Sequence, residues 1–148
     1  MSHPRQTVRL TQVQDYRFDV HFSDGVPVLQ ADEPPPLGQG QGPSPVQLLC
    51  AAVGNCLSAS QLFAWRKYKQ DPGTIGCDVT AEVGRNAEGR LRVLSMQATL
   101  TIGVPADTLD HLDRVIGSFE DYCTVTQSVK AGIPVTLNVF DAHGLQLK

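Results

Sequence analysis

LLCAAVGNCLSASQLFAWRK, residues 48–67, reads as one helix, apolar around most of its girth, with two cysteines and no charge before Arg66. Local signals set its ends. Ser44 is a suitable N-cap, Pro45 fits the first helical position, and Gln47 completes an S-x-x-Q capping box. DPG at 71–73 breaks the pattern, so the helix is expected to stop near Lys69. From Leu48 to Trp65 the run approaches the length of a membrane span. Gly54, Asn55, Ser58, Ser60 and Gln61 interrupt it and no second such run exists, so a buried helix is expected and no membrane partner. One sheet face cannot cover a helix that is apolar on most sides, and a chain of 148 residues has few elements left to cover the rest. A second copy of the chain, bringing its own helix, solves that problem. Patterning thus predicts a homodimer.

The rest of the chain suits one domain, 1–148, with a real core. A net charge of −3 offers no global field for nucleic acid or an anionic membrane. RKYK at 66–69 is the one basic cluster, and cations there complement a helix C-terminus. The start, MSHPRQTVRL, lacks the apolar run of a signal peptide, so a reducing cytoplasm is expected. Cys50, Cys56, Cys77 and Cys123 include no CxxC pair and no His at zinc-finger distance, which argues against a structural metal. Without a phosphate-binding glycine loop, no cofactor is expected either.

Period-two alternation marks the strands. Val8, Leu10, Tyr16, Phe18, Val20 and Phe22 share a face over residues 8–22, as a strand or a bent pair, with a turn at SDG, 23–25. EPPPLGQGQGPSP, 33–45, is an irregular connection. After the long helix, Cys77, Val79, Ala81 and Val83 oppose polar neighbours. So do Leu94, Met96, Ala98, Leu100 and Ile102, across a turn at 86–89. One greasy and one wet face is the mark of an antiparallel sheet packed on helices. Leu109, Leu112, Val115, Ile116 and Phe119 form a helical stripe. A short helix follows EDYC, and VTLNVF at 135–140 is a last strand. Strands, helix, strands, helices and strand make an α+β protein.

Two cysteines on one helix raise a chemical question. Cys50 and Cys56 lie roughly 240° apart around the helix and about 9 Å apart along it, too far for a disulfide within an intact helix. Cys56 shares an apolar face with Val53, Ala59, Ser60 and Phe63, with room beside the sulfur. Cys50 and Cys77 read as small buried hydrophobes. Cys123 falls where one helix ends and another begins, a position whose free backbone N–H groups stabilise a thiolate.

GPSPVQLLCAAVGNCLSASQ and DYCTVTQSV together resemble the two signature segments of the OsmC/Ohr family of thiol peroxidases. The resemblance extends over the whole order of elements. It implies antiparallel sheets wrapped around a long central helix in an intertwined homodimer. It also implies that Cys56 is the peroxidatic cysteine and Cys123 the resolving one. The implied chemistry is attack of Cys56 on an organic hydroperoxide, a sulfenic acid, a Cys56–Cys123 disulfide, and reduction by a dithiol. Two departures point to a divergent subgroup resembling YhfA. Ser44-Pro45-Val46-Gln47 stands where the peroxidases carry an N-P-E-E run, and no Arg or Lys lies between Phe18 and Trp65. Arg9, Arg17 and Arg92 are left as candidates to reach Cys56 in a dimer. With no cation at hand, Cys56 is expected to keep a pKa near the free-thiol value of about 8.5. The competing expectations are a binding protein for a small apolar ligand and a slow redox switch on the same scaffold.

Overall fold

The opening stretch lies in a single helix, α1, Pro45–Lys67, in a computed structural model that describes residues 2–148. The capping box closes as expected: Ser44 N–H donates to Gln47 Oε1 at 2.9 Å and Gln47 N–H to Ser44 Oγ at 3.2 Å. The C-terminal end is a Schellman motif. Lys69 takes a left-handed φ of 57°, with Lys69 N–H on the Arg66 carbonyl and Gln70 N–H on that of Trp65. Two compact units divide the chain, residues 1–48 and 49–148.

The first unit is a three-stranded antiparallel meander of β1 Arg9–Gln14, β2 Arg17–His21 and β3 Leu29–Ala31. Residues 8–22 are therefore a bent pair, turned at Asp15 with φ 51°. Val20 is buried, while Leu10 and Val13 stay exposed. The proline-rich connection is ordered by one carboxylate. Asp32 accepts the N–H groups of Glu33, Gln39 and Gln41 at 2.8, 3.3 and 3.1 Å. The Gln41 N–H, aided by the other two amides and Arg17, holds its pKa below the ordinary value against the opposing effect of burial. A Cβ on Gly42 would run into the Gln30 carbonyl, so the loop closes only with glycine there.

In the second unit β4 Gly76–Arg85 pairs antiparallel with β5 Leu91–Thr101, and β6 Val135–Phe140 pairs parallel with β5. That parallel pair departs from the all-antiparallel expectation. It follows from the connection: residues 102–134 form the long crossover that a parallel pair needs. Cys77, Val79 and Ala81 stand opposite Leu100, Ala98 and Met96, in the register the alternation predicts. A bulge after Glu82 then sets Val83 opposite Val93, which packs on the core, and turns Leu94 out of the apolar row.

The crossover also corrects a sequence expectation. The stripe from Leu109 to Phe119 is no single helix. It is a 3-10 turn at Ala106–Thr108, then α2 Leu112–Ser118, then a second 3-10 turn at Phe119–Tyr122 leading into α3 Thr124–Lys130. The break has tertiary causes. His111 sits at φ 60° with its ring stacked 4.6 Å from that of Tyr68, and the Asp110 N–H is taken by Gln70 Oε1 at 2.8 Å. Leu109, Val115, Ile116 and Phe119 are buried nonetheless, and Leu112 is partly so. Val53, Leu57 and Trp65, spaced by a helical turn or two, join Met96, Ala98, Leu100, Ile102, Val115 and Phe119 in one core.

Candidate functional site

Cys56 lies mid-helix on the side of α1 that meets the start of α3. Cys123 is the N-cap of α3, with φ −81° and ψ 97°, so Thr124, Val125 and Thr126 carry the N–H groups that have no partner within the helix. The Val125 N–H donates to Cys56 Sγ at 3.4 Å. The Thr126 N–H favours the charged form of both sulfurs, and the Cys123 side chain favours that of Cys56. Cys123 Sγ in turn lies 3.0 Å from Thr126 Oγ1, and both residues are fully buried.

These contacts lower the Cys56 pKa and reverse the sequence expectation for Cys123. Burial pushes the Cys56 pKa up. The Cys123 side chain, the amides of Val125 and Thr126 and the Ser60 hydroxyl outweigh it, and the pKa lies below the ordinary thiol value. Cys123, expected to gain from the helix start, is instead raised, first by burial and then by the Cys56 sulfur beside it. The reason is geometric. The packed helix α1 brings Cys56, rather than the cap residue itself, onto the free N–H groups. Everything that lowers the Cys56 pKa is neutral: a thiol, two amides and a hydroxyl.

The 3-10 turn carrying Cys123 is pinned from behind. Glu120 accepts from Lys130 Nζ at 2.8 Å and Lys148 Nζ at 3.1 Å, and its carbonyl accepts the Cys123 N–H at 3.0 Å. Gln127 Nε2 donates to that same carbonyl. Ser60 also lines a cleft of about 520 Å³ with Phe63, Lys67, Tyr68, Phe119 and Tyr122. A larger cleft, about 650 Å³, runs along Asn55, Leu62 and Arg66 and contains no thiol.

Cys50 and Cys77 are not part of this arrangement. They line a shallow depression with Gly54, Ser58 and Val79, and burial raises both pKa values. Helix and strand are close there: a Cβ on Gly54 would come within 2.9 Å of Val79 Cγ2. Of the three arginines left as candidates, Arg9 and Arg17 belong to the first unit and Arg92 to β5. Among the described residues no group of three or more His, Cys, Asp or Glu side chains is placed to hold a metal. Sequence reasoning set Ser60 on the Cys56 face without a role, and missed Thr126 and the Glu120 pair of lysines. Thr126 had a signal, standing three residues after the cap in C-T-V-T, where N3 side chains meet N-caps.

Residues 38–138 match the family model described as OsmC-like protein. The chain belongs to the OsmC-like family. Solved structures with this fold include an OsmC-like protein of unknown function from Vibrio cholerae, with a TM-score of 0.78 at 16% identity, covering 93% of this chain and all of that one. An organic hydroperoxide resistance protein OsmC from Legionella pneumophila gives 0.68 at 15%, covering 94% and 98%. The organic hydroperoxide resistance protein OhrB of Bacillus subtilis gives 0.67 at 13%, covering 90% and 97%. No curated protein sequence matches the chain. At these identities the likeness establishes the OsmC-like α+β fold. What the chemistry is rests on the thiols.

Proposed function

We propose that this OsmC-like protein is a thiol peroxidase that reduces organic hydroperoxides through Cys56 and Cys123. The observation that carries the proposal is the Val125 N–H on Cys56 Sγ at 3.4 Å, which seats Cys56 at the start of the helix that Cys123 caps. The Cys56 thiolate attacks the outer oxygen of the hydroperoxide. The O–O bond breaks, Cys56 becomes a sulfenic acid, and the departing alkoxide takes a proton to leave as alcohol. The thiol of Cys123, kept protonated by its raised pKa, supplies it. The resulting Cys123 thiolate attacks the Cys56 sulfur and expels hydroxide, and a dithiol reductant returns the disulfide to two thiols. The apolar cleft beside Ser60 suits an organic peroxide better than hydrogen peroxide.

The proposal includes one functional domain, 1–148, working as a homodimer in a reducing cytoplasm with no metal or cofactor. The most apolar 18-residue window of α1 has a mean hydropathy of 1.4 and is 28% buried within one chain, so a covering partner has much to bury. Phe63 and Tyr122, exposed at the cleft, support the same reading. Light scattering is expected to give twice the chain mass at micromolar concentration.

The neutral surroundings of Cys56 favour a second reading, a redox switch that forms the same disulfide with slow turnover. One experiment separates them. Peroxide consumption is followed after rapid mixing with cumene hydroperoxide or hydrogen peroxide and a dithiol. Sustained turnover with preference for cumene hydroperoxide is the expected result. A single stoichiometric oxidation without turnover supports the switch. Peptide mapping that finds no Cys56–Cys123 link rejects both.

A further inference from the structure

A resolving cysteine must become a thiolate at the moment it is needed, and Cys123 has to do so while fully buried. Burial opposes that charge. The groups within reach that favour it are the hydroxyl and the N–H of Thr126. Thr126 is itself fully buried, with Oγ1 3.0 Å from Cys123 Sγ. A hydroxyl both accepts and donates, so it can serve two states in turn. While Cys123 is protonated, Thr126 Oγ1 is a hydrogen-bond partner that fixes the direction of the sulfur. Once the proton has gone to the alkoxide, the same hydroxyl turns and donates to the thiolate.

We propose that the Thr126 hydroxyl is a positioning residue for the resolving step: it aims Cys123 Sγ and holds its thiolate, so that the Cys56 sulfenic acid closes to a disulfide before a second peroxide arrives. The inference rests on the peroxidase reading of the thiol pair. Closure is Cys56–SOH plus Cys123–S⁻ giving the disulfide and hydroxide. Over-oxidation is Cys56–SOH plus ROOH giving Cys56–SO₂H and ROH. The two reactions compete for one sulfenic acid, and the hydroxyl favours the first. The backbone N–H of Thr126 acts on Cys56 and is insensitive to the side chain. Formation and resolution of the sulfenic acid are therefore separable by substitution at one position.

Thr126→Val keeps the branched shape and the N–H and removes the hydroxyl, while Thr126→Ser restores it. Hydrogen bonds to charged groups are strong enough that losing one slows a step about tenfold. With cumene hydroperoxide, T126V is expected to form the sulfenic acid within about twofold of the parent rate and to close the disulfide about tenfold more slowly. Mass spectrometry should then find Cys56 sulfinic acid accumulating under excess peroxide. T126S should reverse both effects. A second readout needs no peroxide. Ellman's reagent caps Cys56 as a mixed disulfide, and attack by Cys123 releases a second thiolate of the reagent. In T126V that release is expected to be about tenfold slower near neutral pH, with its pH profile moved upward. Second release at the parent rate, or a T126S variant that stays slow, overturns the assignment. If the parent chain forms no sulfenic acid at all, the peroxidase reading fails, while the release rate still decides what Thr126 does.

Discussion

Helix α1 carries a cysteine on each of two faces, and they have opposite chemistry. On one face Cys56 meets Cys123 and the start of α3. On the other Cys50 lines a depression with Cys77 of β4. Burial pushes all four thiol pKa values up, yet Cys56 alone ends below the ordinary value. The difference is the supply of donors. Cys56 has a thiol, two amides and a hydroxyl around it, and the chief opposition to desolvation at Cys77 is one hydroxyl. Neutral groups, the Cys123 side chain first and then the amides at the start of α3, therefore lower the Cys56 pKa without a cation.

The hardest test of this contrast removes the sulfurs in turn. Cys56→Ser is expected to lower peroxide consumption by ~10³-fold or more, as loss of a nucleophile does. The double variant Cys50→Ser, Cys77→Ser should stay within about twofold, since neither thiol touches the pair. Activity that survives C56S and vanishes in the double variant would reverse the assignment of the two faces. Next in size is Cys123→Ala. It removes the largest of the influences that lower the Cys56 pKa. Alkylation of Cys56, which in the parent should reach its plateau at lower pH than that of Cys50 or Cys77, is expected to shift to higher pH. Near pH 7 it should slow about tenfold. An unchanged profile would mean that the α3 amides act alone.

The Glu120 clamp belongs to the Cys56 face and has no counterpart on the other. Burial pushes the Glu120 pKa up, but Lys130 and Lys148 outweigh it and the pKa is lowered. A carboxylate lowered on folding contributes stability that is fully present above its unfolded value of about 4.3 and is lost as pH falls through the folded value. Glu120→Gln should therefore destabilise the chain at pH 7 and flatten its loss of stability in acid. Both lysines are partly exposed, at 43% and 33%, so the effect at pH 7 is expected to be about 1 kcal/mol, read by urea unfolding. Stability curves for the variant and the parent that run parallel from pH 7 to 3 would remove the clamp from the account.

Much of this architecture was legible because its signals are local. S-P-x-Q wrote the start of α1, and alternation wrote the β4–β5 register up to the bulge. The bulge itself left no mark in the period of two, which is why Leu94 was placed on the wrong face. The break at His111 depends on Tyr68 and Gln70, some 40 residues away along the chain, and apolar spacing alone cannot encode it. The thiol pair came from the resemblance to the family. The acidity of Cys56 stayed hidden because it depends on which side chain packs onto the α3 amides. That is a tertiary fact, and reading Cys123 only against its own helix gave the opposite sign.

The finest test compares two serines. Ser60 sits one turn after Cys56 and Ser58 faces Cys77, so each face pairs a thiol with a hydroxyl of the same helix. Their single protons are used differently. Ser58 Oγ donates to the Gly54 carbonyl at 2.7 Å, which leaves it little to give to sulfur. The hydroxyl of Ser60 is among the groups that lower the Cys56 pKa, although the smallest of them. Ser60→Ala should therefore move the Cys56 alkylation profile slightly upward in pH, slowing the reaction near pH 7 by about twofold to threefold. Ser58→Ala removes the one group that opposes desolvation at Cys77, but that hydroxyl is already committed to a carbonyl, so the Cys77 profile should move upward by less. The substitution frees only a helix carbonyl that already accepts within α1, so no stability loss beyond about 0.5 kcal/mol is expected. Alkylation rates for the two variants, read residue by residue from digests over a pH series, decide the point. Equal shifts at Cys56 and Cys77 would mean that a neighbouring hydroxyl tunes either thiol alike, and the contrast between the faces would then rest on Cys123 and the amides of α3 alone.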